Sequence, residues 1–372
     1  NPGLFPQARD GLLVLEESIR SNAPLPELVP PTPSWEIWKE HSRRHRDESW
    51  LDAEWFYAEH LVYRRIIETV RYWETGHDPF RSIKEEELVS GAPGEIIERF
   101  MSAFPDEGEG GGTAHTAGDV RAEEAVAAAL HAALWGNRID LSYRASADLG
   151  SETADRDLLL DDDTERAVQT LSGGRGGKSP VHVVTDNAGS ELSADLLLAW
   201  VLLGALDIPV RLHVKCHPTY VSDATAADVL RAVDYFASSA AASVRRFGSE
   251  VRKHFETGKL RVIPDIFWNL PGFLHDLPER LGKPFSRGLL IIMKGDVNYR
   301  RTVQDAPWPP ETSLEEVLPG LGAPVLLLRS LKSDTLLRID PVLVRKLDAE
   351  DPSWRNNGKR LVIKYSSSRP VQ

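Results

Sequence analysis

The second half of the chain alternates short apolar runs with longer segments of helical periodicity. Residues 181–185 form a β-branched run, and residues 191–206 follow with an apolar helical pattern. Further apolar, strand-like runs lie at 211–215, 260–263, 289–293, 325–328 and 361–365. Strands buried on both faces appear as nearly continuous apolar runs, and helices separate these runs from one another. The pattern therefore predicts a mostly parallel sheet that is covered by helices.

The first half of the chain has a different pattern. Apolar residues recur every three to five positions between 35 and 73, and further helical patterns lie at 81–103 and 119–135. The proline-rich residues 1–33 predict an extended arm, and the glycine-rich residues 107–113 predict a flexible loop.

Together the two patterns predict an α/β protein with two domains. Residues 1–150 are expected to form an all-helical N-terminal domain. Residues 151–372 are expected to form a three-layer α/β/α (Rossmann-like) domain with a mostly parallel sheet.

Four of the predicted strands end in polar residues that suit phosphate or metal chemistry. These strand ends are Asp186-Asn187, Lys215 with the following Val221-Ser222-Asp223, residues 294–300, and residues 329–332. Because the carboxyl ends of parallel strands share one edge of a sheet, we expect these groups to converge on a single crevice.

Asp186, Asn187 and Asp223 are candidate ligands for a hard divalent cation, which prefers oxygen donors. The alternative is that both acids are helix caps: Asp186 for the helix that begins near Ser190, and Asp223 for the helix that begins near Thr225. The Asp186-Asn187 pair alone favours the capping interpretation. The convergence of four polar strand ends favours a site.

Positive charge for a phosphoryl group is available from Lys294, Arg300 and Lys332, and Asn298 adds a neutral donor. Gly295 would allow the backbone to approach a ligand closely. The alternative for any one of these cations is a solvated position at the end of a strand.

Composition excludes several classes of partner. The 372 residues carry a net charge of −12, so we expect neither a nucleic acid nor a membrane surface as partner. The only cysteine, Cys216, cannot form an internal disulfide, and residues 1–6 lack the features of a secretory signal, so we expect a cytoplasmic protein. The sequence has no G-x-S-x-G motif, and no G-x-G-x-x-G motif follows a strand, so neither a serine hydrolase nor a dinucleotide enzyme is supported.

From about residue 35 to residue 367 the chain resembles the metal-dependent damage-control phosphatases, in the branch that contains the sugar-phosphate phosphatases. A protein of that branch was once proposed to be a protein-glutamate methyltransferase. The resemblance rests on ordered motifs at residues 58–65, 134–142, 186–191, 221–223, 294–300 and 329–332. The last of these, Arg329-Ser330-Leu331-Lys332, has serine where the family has threonine.

The resemblance implies that Asp186, Asn187 and Asp223 hold a divalent ion. Mn²⁺ or Mg²⁺ is expected, with Co²⁺ or Ni²⁺ as alternatives. Asp186 and Asp223 are also the expected catalytic residues, since either could position or deprotonate the attacking water. Direct attack by Asp186 is the other route.

The same resemblance assigns the substrate to several groups of residues. The expected substrate-binding residues in the α/β domain are Glu191, Lys294, Asp296, Val297, Asn298, Tyr299, Arg300 and Lys332. The helical domain is expected to cover the crevice and contact the sugar through Glu59, Arg64, Asn137 and Asp140, and Glu59 and Arg64 are counted among the substrate-binding residues. For Glu59 and Arg64, a pair within their own helix is the alternative.

The function expected from residues and resemblance together is hydrolysis of small phosphorylated metabolites, with fructose 1-phosphate or fructose 6-phosphate as the expected substrates. Residues 217–220 and 337–338 depart from the family pattern, which weakens the expectation for the substrate more than that for the reaction. Two other classes stay open: an S-adenosylmethionine-dependent protein-glutamate methyltransferase and a non-catalytic phosphometabolite-binding protein.

Overall fold

The computed structural model describes residues 6–28, 32–105, 115–136 and 158–367. The helices of the first 150 residues are α1 (Pro6–Arg20), α2 (Trp35–Arg43), α3 (Trp55–Thr69), α4 (Tyr72–Thr75), α5 (Arg81–Leu88), α6 (Ala92–Ala103) and α7 (His115–Trp135). The later helices are α8 (Thr164–Gly173), α9 (Ser190–Ala205), α10 (Ala226–Ala237), α11 (Ala242–Glu256), α12 (Glu279–Phe285), α13 (Gly295–Thr302), α14 (Leu314–Val317) and α15 (Pro341–Glu350). The strands are β1 (Leu159–Asp162), β2 (Val181–Val184), β3 (Val210–Val214), β4 (Leu260–Pro264), β5 (Leu290–Lys294), β6 (Val325–Ser330) and β7 (Leu361–Ser366).

The seven strands form one sheet in the order β1-β7-β6-β5-β2-β3-β4. The strands from β6 to β4 are parallel to one another, whereas β7 is antiparallel to β6 and parallel to β1. After β2, the next two strands along the chain, β3 and β4, are added on one side of β2. The chain then crosses over, and β5 and β6 are added on the other side of β2. This change of direction opens a crevice at the carboxyl ends of β2 and β5.

Both faces of the sheet are buried, because successive side chains of a strand point to opposite faces. In β5, Leu290 and Ile292 join a core formed with helices α6 to α11. Ile291 and Met293 join a second core formed with α12, α13 and α14. The predicted α/β class with helices on both faces of a mostly parallel sheet is therefore confirmed.

Helix α9 is apolar on almost every side because it is buried between the sheet and helices α6 and α7. Its polar exceptions include Glu191 and Asp195, which are four residues apart and therefore lie on one face. Both are buried. Two acidic side chains buried on such a helix require hydrogen-bond donors or cations as partners, and these partners lie in the crevice.

The predicted extended arm is wrong for the start of the chain, where α1 forms a helix of 15 residues. Proline at position 6 does not prevent this, since the first turn of a helix needs no amide donor from that residue. Leu15 and Ile19 of α1 pack against a cluster that includes Trp50 and Leu61. Tertiary contact therefore stabilises this helix.

Several predictions fall on residues outside the described ranges. These are the loop at 107–113, the domain boundary near residue 150, and the side chains of Asn137 and Asp140. The division into two domains stays a prediction. In the described part of the chain, no helix combines the length and apolar character needed to cross a bilayer.

Candidate active site

Asp186 and Asp223 lie on neighbouring loops that are joined through the backbone. Asn187 and Asp223 form an isolated antiparallel bridge. The amide of Ala224 donates to the carbonyl oxygen of Asp186 at 2.8 Å. The amide of Ala188 donates to the carbonyl oxygen of Ser222 at 2.6 Å. The loops that follow β2 and β3 therefore hold both acids at the same edge of the sheet.

The carboxylate of Asp186 is buried and only partly hydrogen-bonded. Its Oδ2 accepts from Asn187 Nδ2 at 3.1 Å, whereas its Oδ1 has no partner within the described residues. Gly295 packs directly against this carboxylate. A Cβ atom at position 295 would lie 1.9 Å from Asp186 Oδ2, and the φ of +82° there also favours glycine. The close approach expected for Gly295 is thus made to a protein carboxylate.

Asp223 is buried beside Lys215, whose Nζ lies 2.9 Å from Asp223 Oδ2. The other oxygen, Oδ1, has no hydrogen-bond partner in the described part of the chain. The sequence placed Lys215 at one of the converging strand ends but assigned it no ligand or substrate role. Its position at the end of a strand that leads towards Asp223 was the available signal.

The capping interpretation of these acids is wrong. The amide of Ser190, at the start of α9, donates to Glu87 Oε1 at 3.0 Å rather than to Asp186. At the start of α10, Thr225 forms a capping box with Asp228 rather than using Asp223. Both acids are therefore left free for another role.

The electrostatic environment disfavours negative charge on both acids. Burial raises the pKa of Asp186 well above its usual value, and the nearby carboxylates of Glu191 and Asp223 raise it further. Burial also raises the pKa of Asp223, with Lys215 opposing the shift. Buried oxygens without partners and with like-charged neighbours fit a site that receives a cation.

The two amide side chains differ in the atom that they leave free. Asn187 donates to Asp186 and to Glu191, and its Oδ1 accepts from Ser222 Oγ at 2.6 Å. This oxygen has a second lone pair that can ligate an ion. Asn298 donates to the carbonyl oxygens of Thr185 and Lys294, and its buried Oδ1 accepts no hydrogen bond from the residues that the structure describes. Asn298 is thus available as an acceptor, not as the phosphate donor expected from sequence.

Lys294 lies in the crevice, but its charge is already balanced. Its Nζ lies 2.8 Å from Asp195 Oδ1 and 3.5 Å from Glu191 Oε1, and it also donates to the carbonyl oxygen of Ala133. Burial lowers the pKa of Lys294, but the carboxylates of Asp195 and Glu191 outweigh burial and raise it overall. Burial raises the pKa of Asp195 to about 6. Sequence reasoning missed Asp195, although it lies one helical turn after Glu191.

Asp296 holds the segment that follows β6. Its Oδ1 accepts from Arg329 Nε at 2.7 Å, from the amide of Lys332 at 3.1 Å and from Ser333 Oγ at 3.2 Å. The side chain of Lys332 is exposed. Its ammonium group makes neither a hydrogen bond nor a salt bridge with any residue that the structure describes.

One cavity gathers these strand ends. Its lining includes Asp186, Glu191, Lys294, Gly295, Asp296 and Lys332. Residues from the ends of β2, β5 and β6 therefore meet at the predicted crevice.

The sequence profile described as "Damage-control phosphatase ARMT1-like domain" matches residues 7–345. The chain belongs to this family. It is similar to damage-control phosphatase ARMT1 of Danio rerio, with 27% identity over 96% of this chain and 85% of that protein. The Homo sapiens protein of the same name is 26% identical over 92% of this chain and 82% of its own length. A DUF89 family protein from Pyrococcus horikoshii matches 98% of this chain and 96% of its own, with a TM-score of 0.49 and 16% identity.

As a member of the ARMT1-like damage-control phosphatases, the chain is a phosphatase of damaged metabolites. Its remaining predicted substrate residues lie around α13. Tyr299 is buried against the guanidinium of Arg329, 4.0 Å from the ring centroid, and Val297 is partly buried. Arg300 is bound on both sides, by Glu59 at 2.6 Å and by Asp305 at 2.8 Å.

Helix α3 carries two of the predicted substrate-binding residues, Glu59 and Arg64, and their ion-pair partners lie in different parts of this phosphatase. Glu59 reaches across to α13 through its pair with Arg300, and burial raises the pKa of its carboxyl despite that pair. Arg64 instead pairs within its own helix with Glu68 at 2.8 Å, and it donates to Pro33 and Ser34. Arg64 therefore has the intrahelical pair that was its alternative.

Proposed function

We propose that this phosphatase depends on a divalent metal ion and hydrolyses small phosphorylated metabolites, with fructose 1-phosphate or fructose 6-phosphate as substrate. One observation carries the proposal. Among the described residues, two buried carboxylates on adjacent loops each have an oxygen without a hydrogen-bond partner, and Asp186 shares its cavity with Lys332, whose ammonium is unpaired there.

The donor set fits a hard divalent ion, because carboxylate and amide oxygens are the ligands that such ions prefer. Asp186, Asn187 and Asp223 are the proposed ligands, and the free Oδ1 of Asn298 is a further acceptor nearby. In the described part of the chain, no three His, Cys, Asp or Glu side chains form a metal-binding group. Two carboxylates, amides and water would therefore complete the coordination, which suits Mn²⁺ or Mg²⁺, with Co²⁺ or Ni²⁺ as alternatives.

The bound ion would supply positive charge to the phosphoryl oxygens as negative charge builds up on them in the transition state. Lys332 supplies a second positive charge, because its ammonium forms no salt bridge with any carboxylate in the described part of the chain. Asp296 orients Lys332 by binding its backbone amide and the Ser333 hydroxyl.

The attacking water needs an acceptor beside the phosphoryl group. Asp186 Oδ1 is free for that role, and Asp223 is the other candidate. Direct attack by Asp186 is the second route, and it would leave a phosphorylated enzyme. Acid quenching of a single turnover with substrate labelled in its phosphoryl group would distinguish the two routes, because only direct attack transfers the phosphoryl group to Asp186 and leaves the label on the protein.

A sugar phosphate is favoured by the polar lining of the cavity and by the resemblance to the sugar-phosphate branch. The acceptors and donors of Glu191, Asp296 and Ser330 suit hydroxyl groups better than an apolar ligand. The single, unpaired Cys216 fits a reducing compartment, so we propose a cytoplasmic location.

The test is phosphate release from both fructose phosphates, with Mn²⁺ and after treatment with EDTA. We expect turnover that EDTA removes and that added Mn²⁺ restores. Lys332→Ala should raise KM at least tenfold, whereas Lys346→Ala should have no effect, since Lys346 is exposed and pairs with the exposed Glu350. Activity that is unaffected by chelation would refute the metal role. Calorimetric binding of S-adenosylmethionine without phosphate release would favour the methyltransferase alternative.

A further inference from the structure

Helix α5 contacts both loops that hold the candidate ligands. Its residues Lys84 and Glu87 are three positions apart, so they project from the same side of the helix. Neither residue belongs to the proposed ligand or substrate set. One binds the start of α9, and the other binds the start of α10.

Glu87 occupies the N-terminus of α9. Its Oε1 accepts from the amide of Ser190 at 3.0 Å. Its carboxylate also packs on Gly189, where a Cβ atom would lie 2.3 Å from Glu87 Cδ. Gly189 has a φ of 70° and a ψ of −133°, a backbone conformation that other residues rarely adopt. The turn between Asp186 and α9 is thus shaped around the carboxylate of Glu87.

The position of Glu87 matters because a helix N-terminus attracts anions through its free amides and its dipole. Asp186 and Asn187 lie in the turn that ends at Gly189, the N-cap of α9, so an open N-terminus there would compete with Lys332 for the substrate's phosphate. The carboxylate of Glu87 fills this place with a fixed negative charge.

Lys84 provides the second contact of α5. Its Nζ lies 3.1 Å from Asp228 Oδ2 and 3.1 Å from Asp78 Oδ2, and all three side chains are buried. Asp228 in turn accepts from the amide and the hydroxyl of Thr225, two residues after Asp223. One face of α5 therefore connects the loop after β2 to the loop after β3.

We propose that α5 positions the two ligand loops, and that Glu87 is a positioning residue that also excludes phosphate from the N-terminus of α9. Phosphate is thereby directed to Lys332. The effect on turnover rests on the proposed function, whereas the effect on phosphate binding does not require a metal ion.

The test compares Glu87→Ala and Glu87→Gln with Glu86→Ala as the matched control. Glu86 is the exposed neighbour of Glu87 on the same helix. Two quantities are measured: the Kd of inorganic phosphate by calorimetry in EDTA, and kcat for phosphate release from fructose 1-phosphate with Mn²⁺. Thermal unfolding followed by circular dichroism shows whether each variant is folded.

We expect Glu87→Ala to bind inorganic phosphate about fivefold more tightly while kcat falls about tenfold, which corresponds to about 1.4 kcal/mol. Glu87→Gln keeps an oxygen that accepts from Ser190, so its kcat should stay near that of the wild type, but it lacks the negative charge, so it should bind phosphate more tightly than the wild type. Glu86→Ala should be unchanged.

Wild-type phosphate affinity in Glu87→Ala would overturn the proposal, and so would weaker phosphate binding together with a lower kcat, which indicates general damage. If the wild type shows no dependence on Mn²⁺, the proposed function fails. In that case the phosphate affinities of the variants in EDTA still test whether Glu87 excludes phosphate, because they do not depend on the proposed function.

Discussion

The guanidinium of Arg329 and the carboxylate of Asp296 form a buried ion pair of 2.7 Å that joins α13 to the segment carrying Lys332. We expect Asp296→Ala to lower the free energy of unfolding by about 3–5 kcal/mol, because it leaves Arg329 as an uncompensated buried charge. It should also raise KM, since the amide of Lys332 loses its acceptor. Urea denaturation and steady-state kinetics measure the two effects. Asp334→Ala, at an exposed position in the same segment, is the control and should change neither.

The two candidate ligand acids should differ in their effect on stability. Asp186→Asn removes a buried negative charge that has carboxylates nearby and no cation bonded to it, so in EDTA it should raise the free energy of unfolding by about 1 kcal/mol. Asp223→Asn should lower it, because Lys215 is left without its counterion. Both variants should lose at least a hundredfold in kcat.

Urea denaturation in EDTA and phosphate release with Mn²⁺ measure these effects. Asp207→Asn, at an exposed salt bridge, is the control for both assays. Equal changes in stability for Asp186→Asn and Asp223→Asn would contradict the inference that a cation stabilises Asp223 but not Asp186.

The buried contact between α5 and α10 should contribute more to stability than exposed pairs do. Lys84→Ala leaves Asp78 and Asp228 without their cation, and we expect a loss of about 3–5 kcal/mol in the free energy of unfolding. Lys283→Ala removes an exposed pair with Glu279 and should cost at most about 1 kcal/mol. Denaturation curves of the two variants test this, and similar losses for both would show that burial of Lys84 is unimportant.

His182 in β2 and His213 in β3 should lower the stability of the fold at acidic pH. His182 Nδ1 and His213 Nε2 are hydrogen-bonded at 2.9 Å, and both rings pack against Phe285. Burial lowers the pKa of His182 to about 4 and that of His213 well below its usual value. The unfolded chain binds more protons than the native state between pH 6.5 and about 4, so these residues make the fold less stable as the pH falls through that range.

The variant His182→Asn removes one of these two groups, and it also removes the influence of His182 on the pKa of His213. Over that pH range, its free energy of unfolding should depend less steeply on pH than that of the wild type, by up to about 1.4 kcal/mol per pH unit. Urea denaturation at several pH values provides the comparison. Parallel curves would mean that His182 is not the responsible group.

Much of the fold was predictable because strand and helix periodicity are local properties. The runs at 181–185 and 289–293 differ from β2 and β5 by one residue at most at each end. The helix at α1 was missed because its stability comes from packing against distant residues, which local proline content does not reveal. The helix α13 was also missed, since residues 295–302 combine a glycine with several polar side chains.

The sequence by itself determined the class of fold and the positions of Asp186, Asp223 and Lys332 in the segments that follow strands, because alternation and strand ends depend on near neighbours in the chain. Only the tertiary structure decided which charges are already paired. Lys294 is matched by Asp195, and Arg300 by Glu59, which lies 241 residues earlier. The atoms left free for chemistry depend on such long-range pairings, and no local pattern records them.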